Sequence, residues 1–181
     1  MRQPDSEVIQ RVLAGETAAF DVLVRQYGEE AYRLAYRMTR NPQDAQDLAQ
    51  EAFVQAYRSL ATFRGESRFS TWLYRITMNL CLNHLKAVSR HDGSEVDGQV
   101  ADQRPDSLQA LIKNERDRAL AEAIETLPPQ QKATLQLRVH QELSHREIAE
   151  ILDCSEGTAK ANYFHAVRAL QRKLQAFRRD E

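Results

Sequence analysis

One stretch of the sequence carries a row of side chains suited to contacting bases and phosphates. It consists of a short basic loop, Phe63–Phe69, and an apolar stretch that continues to Lys86. At about 100° per residue, one side of a helix here collects an indole, two cations and two amides, namely Trp72, Arg75, Asn79, Asn83 and Lys86. Rings stack on unpaired bases, amides bond to base edges and cations bind phosphates. This polar stripe therefore predicts a surface for single-stranded nucleic acid.

A simpler explanation of the polar stripe is more common among helical proteins. The other sides of the helix are apolar enough to be buried on two flanks, so the stripe could be a solvated edge with Trp72 as a packing residue. Ser70 is expected to cap this helix, because its hydroxyl can accept a hydrogen bond from a free backbone N–H of the first turn. The residues of this stretch alone leave both explanations open.

A second candidate site is a helix-turn-helix. Ser144 and Glu147 form a capping box that opens a short helix, a turn follows at Asp153–Ser155, and Ser155 caps a longer helix. The outer face of that helix is small at first and basic later, with Gly157, Ala161, Phe164, His165, Arg168 and Arg172. Small residues let a helix enter a major groove, and cations meet phosphates. The pattern favours duplex DNA binding over an ordinary helical hairpin. Phe164 could contact a thymine methyl group or pack internally.

A third surface is predicted on the helix that begins at Asn41. Asn41 caps it, Pro42 fills its first position and Asp44 meets the positive end of the helix dipole. Apolar spacing places Leu48, Ala52, Phe53, Ala56, Tyr57 and Leu60 inside. The outward face then carries Asp47, Gln50, Glu51, Val54, Gln55 and Arg58. Such a face could dock another protein, although a face of this kind is more often only solvated.

Composition and charge indicate two helical domains joined by a linker. The 181 residues are 42% hydrophobic with a net charge of −1, which fits one or two modest domains. Positive charge is local, because residues 63–91 carry five Lys/Arg against one Asp/Glu. Residues 89–107 are acidic and contain Gly93, Gly98 and Pro105, so we expect a flexible linker there. The prediction is an all-α protein with domains 1–88 and 108–181.

Neither catalysis nor metal binding is indicated by the reactive side chains. The five histidines are scattered, and neither a nucleophile–base arrangement nor a Walker-type phosphate loop can be inferred. Cys81 and Cys154 lack metal-ligand spacing, and we expect both to be small buried residues of a reducing compartment. No signal peptide or membrane-length apolar run is evident, so a cytoplasmic protein is expected. An enzyme is therefore disfavoured, and no cofactor is expected.

Three segments resemble the extracytoplasmic-function group of bacterial sigma factors, in the sigma-70 family. They are DAQDLAQEAFVQAYRSL (44–60), FRGESRFSTWLYRITMN (63–79) and LPPQQKATLQLRVHQELSHREIAEILDCSEGTAKANYFHAVRALQRKL (127–174). The second is the most diagnostic, because its aromatic, glycine and asparagine positions rarely coincide elsewhere. The resemblance implies a region 2 helical bundle at 1–88, a linker at 89–107 and a region 4 helix-turn-helix at 108–181. A promoter-binding regulator that uses only the C-terminal helix-turn-helix is the alternative.

The resemblance also assigns a ligand to each surface. The face Asp47, Gln50, Glu51, Val54 and Arg58 would bind the clamp helices of the RNA polymerase largest subunit. Recognition and melting of the promoter -10 element, with capture of a flipped base, would fall to Phe63, Arg64, Gly65, Ser67, Trp72, Arg75, Asn79, Asn83 and Lys86. The -35 element would be contacted by Arg146, Ser155, Gly157, Thr158, Lys160, Ala161, His165 and Arg168, with region 4 on the polymerase flap.

Further partners and the physiological role follow from the resemblance alone. The family implies an anti-sigma factor that covers both domains and is often anchored in the membrane. It implies transcription initiation at a stress or envelope regulon as the function, with core RNA polymerase and promoter DNA as partners and no metal.

Overall fold

The computed structural model describes residues 4–91 and 108–177, which form helices and short connections. The α-helices are α1 (Asp5–Leu13), α2 (Phe20–Thr39), α3 (Pro42–Ser59), α4 (Phe69–His91), α5 (Leu108–Glu125), α6 (Pro129–His140), α7 (His145–Leu152) and α8 (Glu156–Phe177). Single 3-10 turns cover Thr17–Ala19 and Leu60–Thr62. The described residues fall into two compact units, with α1–α4 in one and most of α5–α8 in the other. The prediction of an all-α fold is confirmed.

The first unit is organised by an apolar core that all four of its helices share. Phe20 and Leu23 of α2 pack with Phe53 of α3 and Leu73 of α4, and Val8 of α1 closes the cluster. Burying a side chain of this size stabilises a fold by about 1.5–3 kcal/mol relative to leaving it exposed. The Phe20 ring meets the Phe53 ring edge-on at 6.4 Å between centroids. This core fixes the orientation of α3 and α4, which carry two of the three predicted surfaces.

The beginning of α3 agrees with the sequence prediction, but the beginning of α4 does not. The Asn41 side chain accepts hydrogen bonds from the backbone N–H groups of Gln43 and Asp44, at 2.9 and 3.2 Å. Helix α4 begins at Phe69, so the predicted cap Ser70 lies inside the first turn and the prediction is wrong. Phe69 is 1% exposed. Burial of its ring contributes more than a serine cap, which is worth about 1 kcal/mol.

Helix α4 is also longer than predicted. It continues to His91, so the prediction that residues 89–91 belong to the linker is wrong, because these residues are helical. Between Phe69 and Gly93 the sequence contains no glycine or proline that would end the helix earlier. The rest of the predicted linker, residues 92–107, lies outside the described residues.

The second unit is built around α8, which packs against α5 and α6. Ala166 of α8 is buried with Leu127 and Leu135, and Ile124 and Tyr163 cover this small cluster. The Lys132 ammonium lies 2.5 Å from the Glu125 carboxylate and is almost fully buried. Among the helices that the structure describes, none is both long and apolar enough to cross a membrane.

Candidate nucleic-acid and protein interfaces

An aromatic cluster holds both ends of the basic loop. Phe63, Phe69 and Trp72 pack together with ring centroids 5.2–6.0 Å apart, and Tyr27 of α2 lies 5.5 Å from Phe69. Tilted and edge-on pairs of this kind contribute about 0.5–1.5 kcal/mol beyond burial. Phe63 and Trp72 are half-buried, so each ring packs on one side and is accessible on another. Trp72 therefore has the packing role of the simpler explanation and still borders the surface.

The tip of the loop is exposed and contains one left-handed residue. Gly65 has a φ of 74°, a conformation that costs other residues about 1–2 kcal/mol. Apart from its chain neighbours, no atom lies within 4 Å of the position that a Cβ would take, so backbone conformation explains the glycine. Arg64 and Ser67 are exposed on either side of it. The loop therefore presents backbone and cationic groups to the solvent from a fixed base.

The polar stripe of α4 lies on the surface, as the helical spacing predicts. Arg75, Asn79, Asn83 and Lys86 are all exposed, whereas Leu73, Met78, Cys81 and Leu82 on the other sides are buried. Within the described part of the chain, the four exposed side chains have no hydrogen-bond or ion-pair partner. Their donors and acceptors are therefore available to a ligand.

Contacts with α2 and α3 hold α4 in place behind this stripe. The Tyr74 phenol is hydrogen-bonded to Glu30 of α2, and burial, together with this bond and the charge of Glu30, raises the pKa of Tyr74. On α3, Asp44 Oδ2 lies 3.3 Å from His84 Nε2. The stripe is thus carried by a helix that is tied to both neighbours.

The predicted outward face of α3 is exposed over its whole length. Asp47, Gln50, Glu51, Val54 and Arg58 all lie on the surface. Two amides bond along the helix, Gln43 to Asp47 and Gln55 to Glu51, each at 3.2 Å. These contacts are local and leave the face open to a partner.

Tyr57 extends this face, although its spacing predicted a buried residue. It is 42% exposed, and its ring touches Phe20 edge-on at 5.2 Å between centroids. Val54, one turn earlier, is 41% exposed. The α3 surface therefore combines charged groups with an exposed apolar pair, which the apolar periodicity could not separate from the core.

The predicted helix-turn-helix is formed by α7, the turn at Asp153 and α8. The Ser144 N–H donates to Glu147 Oε2 at 2.8 Å, and the Glu147 N–H donates to Ser144 Oγ at 3.2 Å, which confirms the capping box. Ser155 Oγ accepts from the Thr158 N–H at 3.0 Å, which confirms the cap of α8. Asp153 makes the turn with a φ of 51°. The His145 ring meets the Tyr163 ring edge-on at 5.6 Å, linking α7 to α8.

Most of the predicted -35 residues lie on the outer face of α8. The exposed residues are Ser155, Gly157, Thr158, Lys160, Ala161, His165 and Arg168, with Arg146 exposed on α7. Lys160 Nζ lies 2.7 Å from Glu156 Oε1. This hydrogen bond and the positive charge of Lys160 lower the pKa of Glu156. Phe164 is 55% exposed, so the alternative of internal packing is wrong for it.

The two cysteines differ in environment. Cys81 is fully buried, and burial raises the pKa of its thiol to about 12. Cys154 follows the turn residue Asp153 and is only half-buried, so the prediction of a buried residue is wrong for Cys154. Its neighbours in the turn, Asp153 and Ser155, are both exposed.

Comparison with known proteins identifies the family. The family model described as Sigma-70 region 2 matches residues 23–91, and the family model described as Sigma-70, region 4, matches residues 117–170. The chain is 35% identical to the RNA polymerase sigma-H factor of Pseudomonas aeruginosa, over 99% of this chain and 98% of that protein. It is 36% identical to the ECF RNA polymerase sigma-E factor of Escherichia coli K12, over 94% of each. The chain belongs to the extracytoplasmic-function (ECF) sigma factors of the sigma-70 family.

Solved structures agree with the fold of this ECF sigma factor. One is RpoE of Bartonella quintana in complex with the anti-sigma factor NepR, with a TM-score of 0.69, 22% identity and coverage of 86% of this chain and 96% of that one. Another is CnrH in complex with the cytosolic domain of CnrY, with a TM-score of 0.67, 21% identity and coverage of 93% and 96%. The function that follows from the family is promoter-directed transcription initiation with core RNA polymerase, and the family consists of initiation factors.

Proposed function

We propose that this ECF sigma factor uses its three surfaces for three separate steps of initiation. The α3 face binds the polymerase clamp helices, the loop and stripe of α4 hold the opened -10 strand, and α8 contacts the -35 duplex. The observation that best supports the proposal is the exposed stripe of Arg75, Asn79 and Asn83, whose polar groups have no partner in the described parts of the chain. A binding surface requires polar groups of this kind, which are unpaired and are carried by a helix that packs against its neighbours.

The -10 step needs a site that replaces the stacking a base loses when it leaves the duplex. That loss amounts to a few kcal/mol, and stacking on a protein ring can return about 1–3 kcal/mol per base. The accessible sides of Phe63 and Trp72 offer rings, and Asn79 and Asn83 offer donors and acceptors. Arg64 and Lys86 lie near opposite ends of this region, where they could bind the phosphates of one strand.

The -35 step uses the beginning of α8. Gly157 and Ala161 are small and exposed, so this part of the helix can approach base edges closely. Lys160 and Arg168 follow on the exposed side, and Arg146 adds a cation from α7. Ser155 is occupied as the helix cap, so its contact with DNA would come from its position at the helix N-terminus, where backbone N–H groups favour phosphate.

The polymerase step uses a surface that is acidic at one end and combines exposed apolar area with the cation of Arg58 at the other. Asp47 and Glu51 are exposed acids, and Val54 and Tyr57 provide exposed apolar area one to two turns further along α3. Apolar anchors contribute most of the binding energy in protein interfaces, while peripheral charges steer association. A partner with a basic edge and an apolar ridge fits this surface.

The domain roles and the regulation are parts of the same proposal. Residues 1–91, which include the whole of α4, act as region 2, residues 92–107 as the linker and residues 108–181 as region 4. Both structural neighbours named above were solved with anti-sigma proteins, which supports an anti-sigma partner for this chain. We further propose a cytoplasmic, non-enzymatic protein that controls a stress or envelope regulon.

Run-off transcription from a randomised promoter library tests this function for any promoter sequence. Bacterial core polymerase is incubated with the library, with and without the protein, and the transcripts are sequenced. We expect transcripts only when both proteins are present, with shared -10 and -35 motifs at a fixed spacing. Tight duplex binding by the protein alone, with no core-dependent transcript, would instead identify a promoter-binding regulator.

A further inference from the structure

An exposed aromatic ring lies next to an arginine on the outer face of α8. Phe164 is 55% exposed, although phenylalanine is usually buried. The guanidinium carbon of Arg168, one turn further along, lies 5.6 Å from the centroid of the Phe164 ring. This distance is within the range in which a cation is attracted to the face of a ring. Phe164 therefore has a defined partner on the surface and is not one of the residues of the apolar cluster around Ala166.

The contact leaves the charge of Arg168 available. Among the residues that the structure describes, no carboxylate is paired with Arg168, whereas Lys160 on the same helix is paired with Glu156. An acid next to Arg168 would hold the side chain but would cancel the charge that attracts DNA. A ring holds the guanidinium and leaves its five N–H donors free to bind phosphate or a guanine edge.

The same ring also contacts a second residue of this surface. The imidazole of His165 meets the Phe164 ring edge-on, with centroids 5.7 Å apart. Phe164 thus touches two of the residues proposed to contact the -35 duplex. Of these two contacts, only the one with Arg168 restrains a long side chain with many rotamers, because His165 is short and is the next residue along the helix.

We propose that Phe164 is a positioning residue of the -35 interface, which holds the Arg168 guanidinium ready for duplex DNA without neutralising it. The inference rests on the proposed role of α8 in the -35 contact. Ordering a long side chain before DNA arrives lowers the entropic cost of binding. Loss of the ring should therefore weaken binding through Arg168 and through no other group.

The test is a double-mutant cycle on the reconstituted holoenzyme. Binding to a promoter duplex is measured for the parent, Phe164→Leu, Phe164→Tyr, Arg168→Ala and the double variant Phe164→Leu/Arg168→Ala, over a range of salt concentrations. Phe164→Leu should weaken DNA binding about two- to five-fold, which is the change in affinity that corresponds to the free energy of an exposed cation–ring contact. Phe164→Tyr keeps the ring and should bind like the parent. A promoter that lacks the -35 element should bind all variants equally.

The outcome in the Arg168→Ala background decides between positioning and direct contact. Arg168→Ala should weaken binding roughly tenfold and reduce the salt slope by about one, and adding Phe164→Leu should cause no further loss. If adding Phe164→Leu to Arg168→Ala weakens DNA binding as much as Phe164→Leu does alone, the ring itself contacts DNA and the inference is overturned. The inference is also overturned if Phe164→Leu binds DNA like the parent while Arg168→Ala binds more weakly. A neutral Arg168→Ala would overturn the proposed role of Arg168, and this inference with it.

Discussion

The Trp72 ring packs against the Phe63 ring with their centroids 5.2 Å apart, so the entrance of the basic loop is fixed to the first turn of α4. Phe69 touches both rings and is itself buried. Direct packing therefore joins the two ends of the loop to the helix that carries the polar stripe. A preformed surface of this kind loses little conformational entropy when a strand binds.

The left-handed conformation of Gly65 predicts unequal effects of two substitutions. Gly65→Val should lower the free energy of unfolding of the first unit by about 1–2 kcal/mol, because a β-branched residue is strained at a φ of 74°. Gly65→Asn should cost less, since asparagine tolerates this region. The only tryptophan, Trp72, lies beside the loop, so its fluorescence during urea unfolding reports the change.

Gly28 provides the matched control for Gly65. It lies inside α2, and no atom beyond its chain neighbours and the adjacent backbone of its own helix is within 4 Å of the position of an added Cβ. Gly28→Ala should therefore stabilise the first unit by up to about 1 kcal/mol, the difference in helix propensity. Similar losses for Gly65→Val, Gly65→Asn and Gly28→Ala would contradict the explanation from backbone conformation.

The α3 face predicts a loss of polymerase binding without a loss of folding. Asp47→Lys combined with Glu51→Lys should abolish competition with the parent protein for core polymerase. Both side chains are exposed and, within the described part of the chain, bond only to amides of their own helix. The free energy of unfolding should therefore change by roughly 0.5–1 kcal/mol or less.

A charge-matched variant in the other unit controls for the change in net charge. Asp117 and Glu122 are exposed on α5, and reversing both to lysine alters the net charge by the same amount. This variant should compete for core polymerase like the parent. Normal competition by a folded Asp47/Glu51 variant would exclude this face as the clamp contact.

The environments of the two cysteines predict very different thiol reactivities. At pH 8, a thiol with a pKa of about 12 is ionised to about one part in ten thousand, and Cys81 is also enclosed. A disulfide reagent should therefore label Cys154 rapidly and Cys81 only when the protein unfolds. Cys154→Ser should remove the rapid phase, and a rapid phase that persists would contradict the burial of Cys81.

The same raised pKa predicts a loss of stability in alkali. The pKa of the Cys81 thiol is higher in the folded protein than in the unfolded chain, where it is about 8.5. Its contribution to stability is therefore complete below about pH 8.5 and is lost progressively as the pH rises toward 12. Cys81→Ala should show a shallower decline of the free energy of unfolding over this range.

The sequence allowed the surfaces to be predicted because each depends on local chemistry. Caps at Asn41, Ser144 and Ser155 are formed by neighbouring backbone groups, and the stripe of α4 follows from helical spacing alone. The prediction of a helix cap at Ser70 was wrong because the burial of Phe69, a tertiary effect, sets where α4 begins.

The burial and contacts of residues at the border of the core could not be predicted from helical spacing. Tyr57 has core spacing but lies at the edge of the α2–α3 contact, and spacing gives no measure of how far a neighbouring helix extends. The contact between Phe164 and Arg168 also needed coordinates, because a pair one turn apart touches only in certain rotamers. The two residues stood on the predicted face, but their relationship did not follow from their spacing.

Promoter opening by variants of the α4 stripe tests the central claim most directly. Asn79→Ala is compared with Gln10→Ala, which removes an exposed amide from α1, after both are shown to bind core polymerase and to have the parent's circular dichroism. Permanganate footprinting of unpaired thymines on a supercoiled promoter reports opening. We predict open thymines with the parent and Gln10→Ala and a loss of most of the signal with Asn79→Ala. Equal footprints for all three proteins would mean that the stripe is only a solvated edge.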